Sequence, residues 1–196
     1  MRYSSEHRQQ TRERIVQEAA REVRAKGPDG VAVAGVMARA GLTHGGFYAH
    51  FPSKDALVAE AIAAMFADAR GRSEALDTRG DPKAALREYL RFYLSRAHRD
   101  GRDRGCPLPA LSGDIARSPG AARPRFAEGI AALSARLADL FTRMGVEQPE
   151  AEANALLAQL VGAVSLARAI ADTDQSDEIL RDTRDQIIAR YRLDAA

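Results

Sequence analysis

The sequence predicts an all-α protein of about nine helices, and three observations carry that expectation. Alanine, leucine and arginine dominate, and all three favour helix. Alternating β-branched runs are absent apart from the short Val31-Ala32-Val33. Apolar residues instead recur at helical spacing, interrupted by Gly, Pro, Ser and Asp. With 196 residues, 45% of them hydrophobic and 29% charged, the chain can bury a substantial core.

The first helix is expected from about Glu6 to Lys26, with Ile15, Val16, Ala19, Ala20 and Val23 as its apolar stripe and Gly27-Pro28 as its stop. A second contains Val33, Val36 and Met37 and is weakened by Gly35; Gly41 supplies the turn after it. A third restarts at Leu42-Thr43, with Thr43 as an N-cap whose hydroxyl accepts from the next turn, and runs to Tyr48. Two adjacent glycines, Gly45 and Gly46, lie inside it, each costing about 1 kcal/mol of helix propensity relative to alanine. Phe47 and Phe51 are expected in the core. A fourth helix starts near Lys54 with Ser53 as N-cap, and Leu57, Ala61, Ile62, Met65 and Phe66 give it an apolar face.

Gly71 to Pro82 is polar and interrupted by Gly and Pro. A fifth helix, Pro82 to Arg99, opens with Asp81 and Pro82 in N-cap and N1 roles and aligns Leu86, Tyr89, Leu90, Tyr93 and Leu94. Arg99 to Gly105 reads as a charged turn. A sixth helix runs from Pro107 or Leu108 to Arg117, stopped by Ser118-Pro119-Gly120. A seventh spans Arg123 to Met144, with Phe126, Ile130, Leu133, Leu137, Leu140 and Phe141 on one side. The eighth and ninth cover about Pro149 to Ala171 and Asp177 to Tyr191. Small and apolar residues lie nearly all round the eighth, which implies burial on two sides.

Residues 31–57 carry the most information. Helix, tight turn, short second helix and the start of a third form a helix-turn-helix, the device that fixes one short helix at an angle suited to a DNA major groove. Charge agrees. Residues 1–70 hold ten Lys and Arg against eight Asp and Glu, whereas residues 71–196 hold nineteen of each, so the excess positive charge lies with the helix-turn-helix. In the short helix Thr43 and His44 are placed to reach base edges, and Gly45 and Gly46 permit close backbone approach to DNA. Lys54 and the free N–H groups at its helix start can hold a phosphate.

Ala40-Gly41, Thr43, Gly45, Phe47-Tyr48, Phe51 and Lys54 resemble the DNA-binding signature of the TetR family of bacterial transcriptional regulators. The resemblance implies a three-helix DNA-binding domain at residues 1–52 and a larger ligand-binding and dimerisation domain at 53–196, linked by the helix from about 54 to 70. It implies a repressor that binds double-stranded operator DNA as a homodimer and is released by a small-molecule effector. Tyr48 matches the position whose hydroxyl holds a backbone phosphate. Met65, Phe66, Tyr89, Tyr93, Cys106, Leu111, Phe126, Leu137 and Phe141 are expected to line the effector pocket or to be plain core. Leu157, Leu160, Val161 and Val164, with Ile187 and Ile188, are expected at the dimer interface; burial within one subunit fits the same pattern.

Cys106 is the single cysteine, which excludes an intramolecular disulfide. Two readings stand. Near a helix start and flanked by Arg102 and Arg104, its thiol suits a redox or electrophile sensor, the basis of an alternative thiol-switched repressor. As a small apolar residue it suits the core. No nucleophile elbow, phosphate loop or metal-binding motif occurs, and His7, His44, His50 and His98 are scattered, so neither an enzyme, a cofactor nor a metal site is expected. The polar N-terminus has no signal-like apolar stretch, and no run approaches the roughly 18 apolar residues of a membrane span. These features point to the cytoplasm and away from a membrane partner.

Overall fold

The computed structural model describes residues 2–77, 80–118 and 120–193, and among these every regular element is helical. In chain order they are α1 (Arg2–Lys26), α2 (Val33–Arg39), a 3₁₀ segment His44–Ala49, α3 (Lys54–Gly71), a 3₁₀ turn Glu74–Asp77, α4 (Pro82–Tyr93), α5 (Arg96–Asp100), α6 (Leu108–Ile115), α7 (Ala122–Arg143), α8 (Pro149–Ala169) and α9 (Thr173–Arg190). No described helix is long and apolar enough to cross a membrane.

Local chemistry sets the ends of these helices. Asp81 caps α4, its carboxylate accepting from Lys83 N at 2.9 Å and Ala84 N at 3.2 Å, with Pro82 at the first helical position. Ser53 caps α3 through Ala56 N at 3.1 Å. The expected long fifth helix is broken in two. Ser95 donates its hydroxyl to Phe92 O at 2.8 Å and accepts from His98 N at 3.0 Å, so it ends α4 and caps α5 at once. The ninth helix starts four residues earlier than expected because Asp172 caps it through Gln175 N at 2.9 Å. Pro119, part of the expected stop after the sixth helix, lies outside the described residues.

The chain divides into two compact units, residues 1–68 with 111–129 and residues 69–110 with 130–196. The first unit buries Ile15, Ala19, Val23, Val36, Met37, Phe47, Phe51, Leu57, Ile62 and Met65, the faces expected from periodicity. The segment 111–129 joins them through three contacts with no local sequence signal. Asp55, in the first turn of α3, accepts from Ala121 N at 3.0 Å at the start of α7. Phe126 meets Phe66 edge-on with centroids 5.5 Å apart. Gly27 ends α1 at φ +75°, and a Cβ there would stand 2.9 Å from Asp114 Oδ2.

In the second unit α8 and α9 pair through Arg190 and Tyr191, which both donate to the Glu152 carboxylate, at 2.8 and 2.6 Å, and through Ser176 Oγ, which donates to Ala167 O at 2.6 Å. Arg87 donates to Leu193 O and ties α4 to the end of the described chain. Leu86, Leu90, Tyr93, Leu137, Phe141, Leu160, Val164 and Ile187 form the core.

Gly27→Ala meets both a positive φ and the Asp114 side chain. It is expected to cost more than about 1 kcal/mol in denaturant unfolding. Gly27→Ala combined with Asp114→Ala should recover the contact part and leave the backbone part.

Candidate nucleic-acid interface

The turn between α2 and the 3₁₀ segment is made by Gly41 at φ +73°, a conformation that side chains rarely adopt. Thr43 then takes the N-cap position in extended backbone. Its hydroxyl makes no capping bond; the main chain closes the turn, with Gly46 N donating to Thr43 O at 3.1 Å. The expected α-helix Thr43 to Tyr48 is a 3₁₀ segment, His44–Ala49. Gly45-Gly46 explains the difference: two residues of low helix propensity in one short element leave a single tight turn or two as the stable form.

Packing holds this segment from one side. Phe47 and Phe51 are 2% and 1% exposed and stack with centroids 5.8 Å apart. Thr43, His44 and Gly45 face solvent, and Tyr48 is 72% exposed. The two sets of side chains therefore separate cleanly into an anchored face and a displayed face. From α1, Arg8 Nη2 donates to Ala49 O at 2.6 Å, and Arg12 sits 4.7 Å above the Phe51 ring while pairing with Glu60. Neither contact was legible in sequence, because the partners lie 41 and 48 residues apart.

Lys54 heads α3 as expected, but its ammonium is engaged, donating to Asp29 O at 2.8 Å in an exposed bond. Arg39 is committed as well, to Glu18 and Glu22. Burial opposes ionisation of Glu22, yet hydrogen bonds from Lys26 and Arg39 outweigh it and hold its carboxyl below the ordinary value. His50 is pulled down by burial and by Arg8 and Arg12.

The expected pocket residues fall in both units. Phe66 is half-buried against Phe126, and Met65 and Leu111 are fully buried, all in the first unit. Tyr89, Tyr93, Cys106, Leu137 and Phe141 are buried in the second. Tyr89 lines a cleft of about 240 Å³ shared with Arg72, Ser73, Glu88 and Phe92. Tyr89 and Tyr93 pack with centroids 5.5 Å apart, and Phe141 packs on Tyr191.

Cys106 lies at the centre of a buried cluster. It is 5% exposed, and burial pushes its thiol above the ordinary range despite the Leu108 amide and the Tyr93 hydroxyl. Its own N–H donates to His98 Nε2 at 2.9 Å. An N–H can only donate, so Nε2 accepts and the Nδ1 hydrogen goes to Tyr93 O, 2.6 Å away. His98 is thus a neutral imidazole with both nitrogens used, and burial lowers its pKa to about 4.

Of the expected interface residues, Leu157, Leu160, Val164 and Ile187 are already covered within the subunit, at 6% exposure or less. Val161 and Ile188 are half-buried. Leu166 is 59% exposed on the same helix as the open Ala158 and half-buried Gly162.

The sequence and the fold both match known proteins. The model of the bacterial regulatory proteins, tetR family, matches residues 15–61, and that of the LmrA/YxaF-like transcriptional regulator C-terminal domain matches residues 82–186. The chain belongs to the TetR family. It is a helix-turn-helix transcriptional regulator, in a family whose members are not enzymes. HTH-type transcriptional regulators from two strains of Mycobacterium tuberculosis are 32% identical over 195 residues, covering 91% of this chain and 94% of theirs. Among solved structures, Escherichia coli NemR in its reduced form superposes with a TM-score of 0.80 at 21% identity, covering 91% of this chain and 95% of that one. A TetR regulator from Chloroflexus aurantiacus gives 0.79 at 22% identity, covering 94% and 97%. At such identity the structures establish the shared fold.

Two outcomes follow for a TetR-family chain built this way. Gly45 has no atom within 4 Å of an added Cβ, so Gly45→Ala should fold at least as stably as wild type, with a gain of up to about 1 kcal/mol in urea unfolding. The His98 pKa, lowered from 6.5 to about 4, means the unfolded chain takes up a proton first as pH falls. Stability from this group is therefore complete above about pH 6.5 and declines toward pH 4, by a total on the order of 3 kcal/mol. Urea midpoints from pH 7.5 to 4 should show that loss, and His98→Gln should flatten it.

Proposed function

We propose that this regulator is a cytoplasmic repressor that binds operator DNA as a homodimer and is released by a small-molecule effector. The observation that carries the reading is the separation of faces on the 3₁₀ segment, with Phe47 and Phe51 buried and Thr43, His44, Gly45 and Tyr48 displayed. Thr43 and His44 contact base edges, and Gly45 and Gly46 let the backbone come close to the duplex. Tyr48 and, on release from Asp29, Lys54 contact phosphates, which fix register without reading sequence. Residues 1–52 form the DNA-binding domain, and residues 53–196 bind ligand and dimerise.

A single short element reads few base pairs, so two-fold symmetry supplies the missing affinity. The exposed stripe of α8 around Ala158, Gly162 and Leu166 is the surface offered to a second copy, supported by a 59% exposed leucine beside small residues. The effector acts by its different affinity for two states of the dimer. Helices α6 and α7 contribute residues to both compact units, and the Asp55 bond to Ala121 N ties the start of α7 to the start of α3. A ligand that shifts these helices thereby shifts the helix behind the DNA-contacting segment. Cys106 is buried with a raised thiol pKa, the condition of an inert core cysteine, which supports the effector reading over the thiol switch.

Titration of the purified protein against the fragment upstream of its own gene, and against a scrambled fragment, at two salt concentrations, tests the reading. Discrimination of at least about a thousandfold is expected. Equal and salt-sensitive binding to both fragments would leave phosphate contacts alone and overturn it. Light scattering should give a dimer for the wild type and a folded monomer for Leu166→Arg; a dimer that survives Leu166→Arg removes the α8 surface from the interface.

A further inference from the structure

At the corner where α8 gives way to α9, two arginines, Arg102 and Arg168, are engaged by backbone carbonyls and not by carboxylates. A cleft of about 270 Å³ opens there, lined by Arg99, Asp100, Arg102, Arg168, Thr173 and Ser176 among others. Arg99 is satisfied by the chain: Nε donates to Asp100 Oδ1 at 2.7 Å, and Nη1 to Asp177 Oδ1 at 2.7 Å and Ser176 Oγ at 2.8 Å. Arg96 takes the other Asp177 oxygen.

Arg168 differs. This half-buried residue donates Nε to Arg99 O at 3.0 Å and Nη2 to His98 O at 2.9 Å, two carbonyls in the last turn of α5. Among the described residues it has no carboxylate within ion-pairing distance, and Nη1 has no acceptor. Arg102 is in the same position, with Nη2 on Arg168 O at 3.1 Å and its remaining donors unused. A guanidinium withdrawn from water without a counter-charge is costly, and a second cation beside it adds repulsion. Burial, with the nearby Arg102, pulls Arg168 below its ordinary pKa, and the smaller pull of Asp100 only partly offsets this. On the facing side, the N–H groups of Thr173 and Asp174 precede the first intrahelical bond of α9, from Ser176 N to Asp172 O at 3.0 Å. Asp172 and Asp174 stand at this helix start but do not line the cleft; Asp172 is occupied with Gln175 N.

We propose that this cleft binds a small molecule through an oxyanion, a carboxylate or phosphate group, held by the unused edges of Arg102 and Arg168 and by the Thr173 hydroxyl and amide. A planar fork suits either group bidentately, and the volume admits a small metabolite. The site is separate from the buried tyrosines and Cys106, and it stands whether or not its occupant affects DNA binding.

The test uses the full chain with inorganic phosphate and with acetate as probes, at constant ionic strength balanced by chloride. Calorimetric titration and thermal unfolding should show saturable binding and a matching rise in Tm with at least one probe. Which probe binds assigns the group. Arg102→Gln removes an exposed head that pairs with no carboxylate, so its Tm without anion should equal wild type while binding weakens about tenfold or more. Arg168→Lys keeps the charge but loses the fork, and it should weaken binding also. No saturable effect of either probe beyond chloride, or undiminished affinity in both variants, overturns the proposal.

Discussion

Burial of Phe47 and Phe51 holds in place a segment that has almost no capacity to hold itself. Six residues, two of them adjacent glycines, are far below the length at which an isolated helix persists in water. The two glycines cost about 2 kcal/mol together, whereas each buried ring contributes about 2–3 kcal/mol. Packing therefore wins, and it wins only if the rings reach the core made by α1, α2 and α3. The stripe on α1, the Gly41 turn and the Arg12 stack over Phe51 all serve that seating. The result is a turn whose shape is imposed from below.

Electrostatics in this unit does a different task from the one the regional charge count suggests. The excess of basic residues in the first seventy is largely consumed inside the chain. Arg12 pairs with Glu60, Arg24 with Asp68, Lys26 with Glu22, and Arg39 with Glu18 and Glu22; Arg8 and Lys54 hold backbone carbonyls. Apart from the Lys26–Glu22 pair within α1, these ion pairs join α1 to α2 or α3. On the 3₁₀ segment and its N-cap the exposed side chains include those of Thr43, His44 and Tyr48.

The helical class, the helix-turn-helix and most core faces were legible because they rest on local periodicity and capping chemistry. Ile15, Ala19 and Val23, the Asp81-Pro82 start and the buried Phe47 and Phe51 all fall in this group. The break at Ser95 inside the expected Pro82–Arg99 helix has no local signature, because a serine in an apolar pattern gives no sign of whether it interrupts or decorates a helix; its two backbone bonds decide. The 3₁₀ form of the short segment was foreshadowed only as a propensity cost. Contacts such as Arg8 to Ala49, Asp55 to Ala121 and Arg168 to the end of α5 span from 41 to 70 residues, and no local pattern encodes them. The surface of α8 was also hidden, since small and apolar residues on every side do not say which side the same subunit covers.

The two sides of the 3₁₀ segment differ in how freely they can change over generations. An alteration at Phe47 or Phe51 is felt by the whole bundle. One at Thr43, His44 or Gly45 meets solvent, and Gly45 has no neighbour within reach of a new side chain. Descendants of this chain can therefore exchange the displayed residues one at a time with little folding cost, each exchange judged only by what the surface touches. A lineage built on this frame can acquire new targets without first passing through an unstable ancestor.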